Sequence, residues 1–144
     1  MPSSMIHLSV AKKYNPNSEI TFYIGNLAPD SISDMNIKHE IHLRDVPNRE
    51  TALKDFILNS KYLKNSFFEG IVLHLFADWK WDIQFMLPFS QRSGDGWFPK
   101  YRNEIGLASA YLYHHTNWSI ELWKKMDSFD ISNFSNIGYL GTVK

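Results

Sequence analysis

The segment Gly70-Ile71-Val72-Leu73-His74-Leu75-Phe76-Ala77-Asp78-Trp79-Lys80-Trp81-Asp82 sets one imidazole and two carboxylates among strongly apolar neighbours. His74 and Asp78 are four residues apart, so on a helix they stand one turn above each other and point the same way. Asp82 continues that column by another turn. Polar groups in so apolar a helix need compensation, because an unpaired buried polar group costs roughly 1–3 kcal/mol and an unpaired charge far more. A metal ion supplies it, and imidazole plus carboxylate at this spacing is a common way for one helix to give two ligands to one cation. The plainer alternative is a His–Asp hydrogen bond on a partly exposed helix face.

Three further residues bear on that choice. His7 falls beside the apolar stripe of the first helical segment, where a histidine is either a satisfied core or surface residue or a ligand. Asp30 follows Pro29 after a glycine-containing turn, Gly25-Asn26-Leu27-Ala28, which either thrusts the carboxylate inwards or simply leaves it capping a helix. His42 lies in Lys38-His39-Glu40-Ile41-His42-Leu43-Arg44, a histidine-rich stretch that by itself reads as solvated surface. There is no cysteine, so disulfides, thiol catalysis and cysteine-ligated zinc are excluded. Any metal must be held by nitrogen and oxygen, from six histidines and fifteen carboxylates.

Taken in order, these residues resemble the zinc-dependent phospholipase C family. The features that carry the resemblance are a histidine near the N-terminus (His7), Gly-x-x-x-Pro-Asp (Gly25 to Asp30), a loop histidine (His42) and Gly-x-x-x-His-x-x-x-Asp (Gly70 to Asp78), across roughly the first half of the chain. That family is helical and shares its general metal arrangement with fungal single-strand nucleases. The resemblance implies that Asp30, His42, His74 and Asp78 hold one metal, and that Asp78 bridges to a second that also uses His7. Asp30 would orient or deprotonate the attacking water. Two adjacent cations lower the pKa of a bridging water and stabilise both the attacking and the leaving oxygen of a phosphoester. The implied cofactor is zinc, one or two ions, or another divalent transition metal.

The sequence also departs from the family. Its phospholipases carry another zinc on a His and a Glu one turn apart, after a glycine-aromatic segment. The similar stretch here, Gly96-Trp97-Phe98-Pro99-Lys100-Tyr101-Arg102, puts Phe98 and Arg102 at those positions. That site is read as absent, with Glu104, His114 and His115 as the remaining substitutes. Secreted members also use their freed N-terminal residue as a ligand; with no signal-like segment read ahead of His7, that ligand is not expected here. Arg44, Lys100 and Arg102 are candidate phosphate contacts, although most such side chains are solvated surface. Trp79, Trp81 and Trp97 are candidate pocket walls, with Trp79 the readiest to be core.

The expected activity is therefore metal-dependent phosphoester hydrolysis on a small substrate. The alternative is a non-catalytic or structural metal-binding protein on the same scaffold. An HD-domain phosphohydrolase is disfavoured, since no His-Asp dipeptide occurs. Nucleic acid is a less favoured substrate: 15 basic and 15 acidic residues give a net charge of +0, and neutralising the phosphate backbone supplies much of duplex affinity.

The elements that must position these groups are helical. At 144 residues, 44% hydrophobic and 15% aromatic, the chain suits one domain with one sizeable core. Ser3 and Ser4 offer caps for a helix over Met5–Tyr14, with Met5, Leu8 and Ala11 on one face, ended by Asn15-Pro16-Asn17. Glu19–Leu27 is apolar and aromatic enough for a strand, but a lone strand has no partner, so a short helix or an extended passage is expected. Residues 31–47 read as irregular. A helix starts at the cap Asn48 with Leu53, Phe56 and Ile57 as its buried stripe, and another runs from Ser66 to Phe85 until Pro88 breaks it. After the loop Ser93–Gly96, helices are expected over Pro99–His115 and Asn117–Ser128, the second carrying Ile120, Leu122, Trp123 and Met126. The tail, 132–144, is weakly patterned and reads as mobile. The sum is an all-α, single-domain bundle of about five to seven helices with long functional loops. No basic, apolar leader opens the chain and no apolar run approaches the roughly 20 residues of a membrane span, so a soluble, cytoplasmic protein is expected.

Overall fold

A computed structural model describes residues 2–60 and 65–130. They form α-helices and no strand. Helix α1, Ser4–Tyr14, starts at Ser3, whose hydroxyl accepts from the Ile6 amide, and buries Met5, Leu8 and Ala11. Helix α2, Ile20–Leu27, runs directly into a 3-10 turn over Ala28–Ser31, with Pro29 in the first turn where its missing N–H costs nothing. The segment that could have been extended is thus helical, which satisfies its backbone without a strand partner.

Residues 31–47 are not all irregular. Helix α3, Met35–Ile41, is set by Asp34, whose carboxylate accepts from the amides of Asn36 and Ile37 at 2.9 and 3.2 Å. It buries no residue, so it has no apolar periodicity, and its cap is its only sequence mark. Helix α4, Arg49–Leu58, is capped by Asn48 and buries Leu53, with Phe56 and Ile57 half-buried.

Helix α5, Ser66–Trp81, does not end at Pro88. It passes through a π-helical turn, Asp82–Met86, into α6, Leu87–Ser93. Proline lacks an N–H and presses on the carbonyl four residues back; the widened turn, in which the Leu87 amide reaches Asp82 O, makes room for it. Gly94, with φ 64°, ends this rod. Helices α7, Trp97–His115, and α8, Ser119–Asp127, follow. Among the described residues eight α-helical segments therefore make seven rods, α5 and α6 being one. The weakly patterned tail lies outside the described residues.

Two apolar clusters flank α5. Met5, Leu8, Ala11, Phe22, Tyr23 and Leu122 form one, joined by half-buried Trp123 and Met126. Ala28, Leu53, Phe67, Ile71 and Leu75 form the other. Ile120 belongs to neither and is exposed. The most extensive interhelix contact is between α2 and α5. It depends on two glycines: a Cβ on Gly25 would lie 2.0 Å from Phe67 O, and one on Gly70 2.0 Å from Phe22 O. The two backbones touch there, and the loop and helix bearing Asp30 and His74 are locked together. No described helix is long and apolar enough to cross a membrane.

Candidate metal centre

The structure brings all five singled-out residues to one place between these elements. His7 comes from α1, Asp30 from the 3-10 turn, His42 from the C-terminal cap of α3, and His74 and Asp78 from adjacent turns of α5. His7, His74 and Asp78 are fully buried and His42 is 1% exposed, while the Asp30 side chain keeps 17% of its surface.

Backbone groups aim two of the imidazoles. His42 Nδ1 lies 2.6 Å from Lys38 O, and His74 Nδ1 lies 2.6 Å from Asn26 O. A carbonyl oxygen can only accept, so each Nδ1 carries a proton, and it is Nε2, the atom that would give a lone pair to a cation, that each ring turns inwards. The two Nε2 atoms face each other at 3.1 Å. Around them stand Asp30 Oδ1, at 3.4 Å from His42 and 3.8 Å from His74, and Asp78 Oδ2, at 3.5 Å from both. Asp30, His42 and His74 thus face one gap as a trio, with Asp78 Oδ2 beside both imidazoles. Ligands held at 2.0–2.1 Å around a tetrahedral ion are about 3.3–3.4 Å apart, and the observed spacings bracket that edge.

The other carboxylate oxygens turn towards His7. Its Nε2 lies 3.2 Å from Asp78 Oδ1 and 3.9 Å from Asp30 Oδ2, and its ring stacks on His74 with centroids 3.8 Å apart. Each aspartate therefore offers one oxygen to the His42–His74 pair and one to His7, the geometry of a bridging carboxylate. Neither ring nitrogen of His7 has a hydrogen-bond partner, nor does either oxygen of Asp78 or Oδ1 of Asp30. Orphaned buried polar atoms of this kind are rare in folded proteins. His7–His74–Asp78 and Asp30–His42–His74 are each close enough to hold a metal ion.

Burial by itself raises the Asp78 carboxyl, but the close contacts and charges of His7 and His74 outweigh it and hold the group below the ordinary carboxylate range. Asp30 behaves alike: burial pushes it up, His42, His74 and His7 pull it down, and the net shift is downward. For His7 burial dominates and lowers its pKa, against the opposing pull of Asp78. Two ionised carboxylates and a buried neutral imidazole are the protonation states that a divalent cation requires.

Outer residues hold this arrangement, and several were not legible beforehand. Lys38 supplies the carbonyl for His42 and places its ammonium 3.1 Å from Asp30 O and 3.8 Å from Asp30 Oδ1. Its signal was the four-residue spacing to His42, visible only once that stretch is known to be helical. Arg49 donates to Asp82 Oδ2 at 2.7 Å and to His42 O at 3.3 Å. Asp82, in line with His74 and Asp78, is thus engaged by Arg49 and by Arg44 at 3.3 Å, not by the centre. Asn26 acts through its backbone carbonyl, for which no side-chain type is a marker.

The remaining candidates divide. Arg44 and Arg102 line a cavity of about 510 Å³ beside the centre; Lys100 is exposed and does not line it. Trp79 is half-buried and packs against the Ala28–Leu53 cluster rather than lying in the buried core. Trp81 donates to the Tyr101 hydroxyl and Trp97 meets the Tyr101 ring edge-on, so both back that cavity's wall. Glu104, His114 and His115 are exposed, and among the described residues no metal-holding group includes them.

The chain is thus an all-helical protein with a buried histidine–aspartate cluster that could bind a metal ion. No protein-family model, curated protein or solved structure matches it.

Proposed function

We propose that this protein is a metal-dependent phosphoester hydrolase that activates water at a zinc-type centre. His42, His74, Asp30 and Asp78 would hold the first ion. His7 and the outer oxygens of both aspartates would hold a second. The observation that carries this reading is the pair of imidazole Nε2 atoms and two carboxylate oxygens converging at tetrahedral-edge spacings. The order of His7, Gly25-x-x-x-Pro29-Asp30, His42 and Gly70-x-x-x-His74-x-x-x-Asp78 supports it through its resemblance to the zinc-dependent phospholipase C family.

Asp30 is suited to the water. Its side chain is the most exposed of the five, at 17%, and against its burial the imidazoles of His42, His74 and His7 keep it ionised. The ion would lower the pKa of bound water and neutralise charge developing on the phosphoryl oxygens.

A second reading is a metal kept for structure. The near-complete burial of His7, His42, His74 and Asp78 favours it, because structural sites are closed while catalytic ones keep an open position. Two measurements separate these readings. Elemental analysis of protein never exposed to chelator should find stoichiometric metal, and His74→Ala should lose it. Wild-type protein should then turn over a chromogenic phosphodiester such as bis(4-nitrophenyl) phosphate. Metal without turnover of any phosphodiester or phosphomonoester would leave the structural reading. No metal in native or titrated protein would remove both.

A further inference from the structure

The 510 Å³ cavity approaches the centre along three helices at once. Ser3 on its wall is one turn before His7, and the His7 amide donates to Ser3 O. His39 is three residues before His42, and Arg44 contacts Asp82, one turn beyond Asp78. These wall residues, or in Arg44's case its partner Asp82, thus stand within about one helical turn along the chain of residues of the centre. The Tyr101 phenol on the same wall is raised by its burial and, in part, by the charges of Asp82 and Asp78.

The wall has two chemistries. Arg44 and Arg102 are cationic, and no carboxylate lines the cavity. Arg44 pairs with Asp82 through Nη2 at 3.3 Å, its Nε and Nη2 are buried, and its side chain as a whole keeps 26% of its surface. Arg102 makes no ion pair among the described residues and leans over the Phe98 ring at 5.9 Å. The wall also carries Met35, Met86, Phe98 and Ile105, of which Met35 and Phe98 are more than half exposed. Gly106 completes the wall from the interior of α7. A Cβ there would meet nothing within 4 Å, so no packing contact requires the glycine, although glycine inside a helix costs about 1 kcal/mol relative to alanine. It leaves the cavity open.

We propose that this cavity binds a phosphoester carrying an apolar group: Arg44 and Arg102 take the phosphoryl oxygens, and the Met–Phe–Ile side takes the apolar body. That this ligand is the substrate rests on the hydrolase reading; the binding itself does not. A volume of this size suits a small organic ligand, and guanidinium groups pair with phosphoryl oxygens in bidentate fashion.

The test uses phenylphosphonate, a non-hydrolysable aryl phosphate mimic, titrated calorimetrically into the protein as purified with its bound ion. Wild type should bind it, and Gly106→Phe should abolish binding by filling the open space. Gly106→Ala should stay within about twofold, as its Cβ has room. Arg102→Met, at an exposed position, should weaken binding about tenfold or more. Benzoate and inorganic phosphate, the two halves of the ligand class, should each bind at least about tenfold more weakly than phenylphosphonate. Binding unchanged in Gly106→Phe, or benzoate as tight as phenylphosphonate, overturns the inference. Binding that depends on Gly106 and Arg102 without phosphodiester turnover sustains the cavity and removes the hydrolase reading. Turnover unchanged in Gly106→Phe and Arg102→Met keeps the hydrolase and overturns the cavity ligand as its substrate.

Discussion

Replacing Gly70 by alanine is expected to loosen the centre from a distance. The added Cβ would sit 2.0 Å from Phe22 O and 2.6 Å from the Asn26 amide nitrogen, where ordinary contact begins at 3.4 Å. Both neighbours are backbone, so no side chain can swing away, and α2 and α5 must separate by about 1.4 Å. The bond from His74 Nδ1 to Asn26 O, 2.6 Å long, spans the same interface, as does the 3.3 Å bond from Asn26 Nδ2 to Gly70 O. Stretched by that amount, the first exceeds the hydrogen-bonding range and the second is lost. Overpacking costs about 1–3 kcal/mol, and the two broken hydrogen bonds, at about 0.5–1.5 kcal/mol each, about as much again. At about 3 °C per kcal/mol for a chain of this size, the melting temperature should fall by about 6–18 °C. Without its carbonyl the His74 ring is no longer aimed, and losses of this kind lower metal affinity about 10–100-fold. Thermal melts with and without zinc, together with competition against a chromophoric chelator, read both effects. Gly106→Ala is the internal control, expected to be neutral or stabilising by up to about 1 kcal/mol, since its Cβ meets open space. A Gly70→Ala protein that melts like wild type and keeps its metal affinity would refute the reasoning.

Other outcomes follow from the same geometry. His42→Ala should remove the first ion altogether, whereas His7→Ala should keep it and lose any second, as metal-to-protein ratios will report; loss of all metal in His7→Ala would contradict the two-subsite arrangement. Arg49→Met should cost about 1–3 kcal/mol by freeing the charge that holds Asp82 and the His42 carbonyl, seen as a lower denaturant midpoint, and an unchanged midpoint would refute it. Acid should weaken the chelated protein. The folded pKa of His7 lies below the 6.5 of the free side chain, so the unfolded chain takes up that proton first. His7's contribution is therefore complete above pH 6.5 and is lost as pH falls below it, by at most about 1.4 kcal/mol per pH unit. Asp30 and Asp78, shifted below 3.8, keep their contributions above that pH and lose them only in stronger acid. Melts from pH 7.5 to 5.5 should decline for wild type and flatten for His7→Leu; parallel slopes would sink the assignment.

Local chemistry was legible where one residue type acts by itself. The caps Ser3 and Asn48, the apolar faces of α1 and α5, and the His74–Asp78 column could be read directly, because capping and helical periodicity depend on neighbours in the chain. Helix α3 escaped because it buries nothing, and Pro88 misled because a π turn can absorb a proline that an α turn cannot. Residue type and spacing are enough to say which side chains can ligate a cation and that helices carry them. Packing alone makes Gly25 and Gly70 sites of backbone contact, sets the Nδ1 protons through the carbonyls of Lys38 and Asn26, and gives Asp82 to two arginines. The difference is one of range. Propensity and spacing act over one or two turns, whereas the gap between His7, Asp30, His42, His74 and Asp78 exists only where chain segments up to 71 residues apart are pressed together.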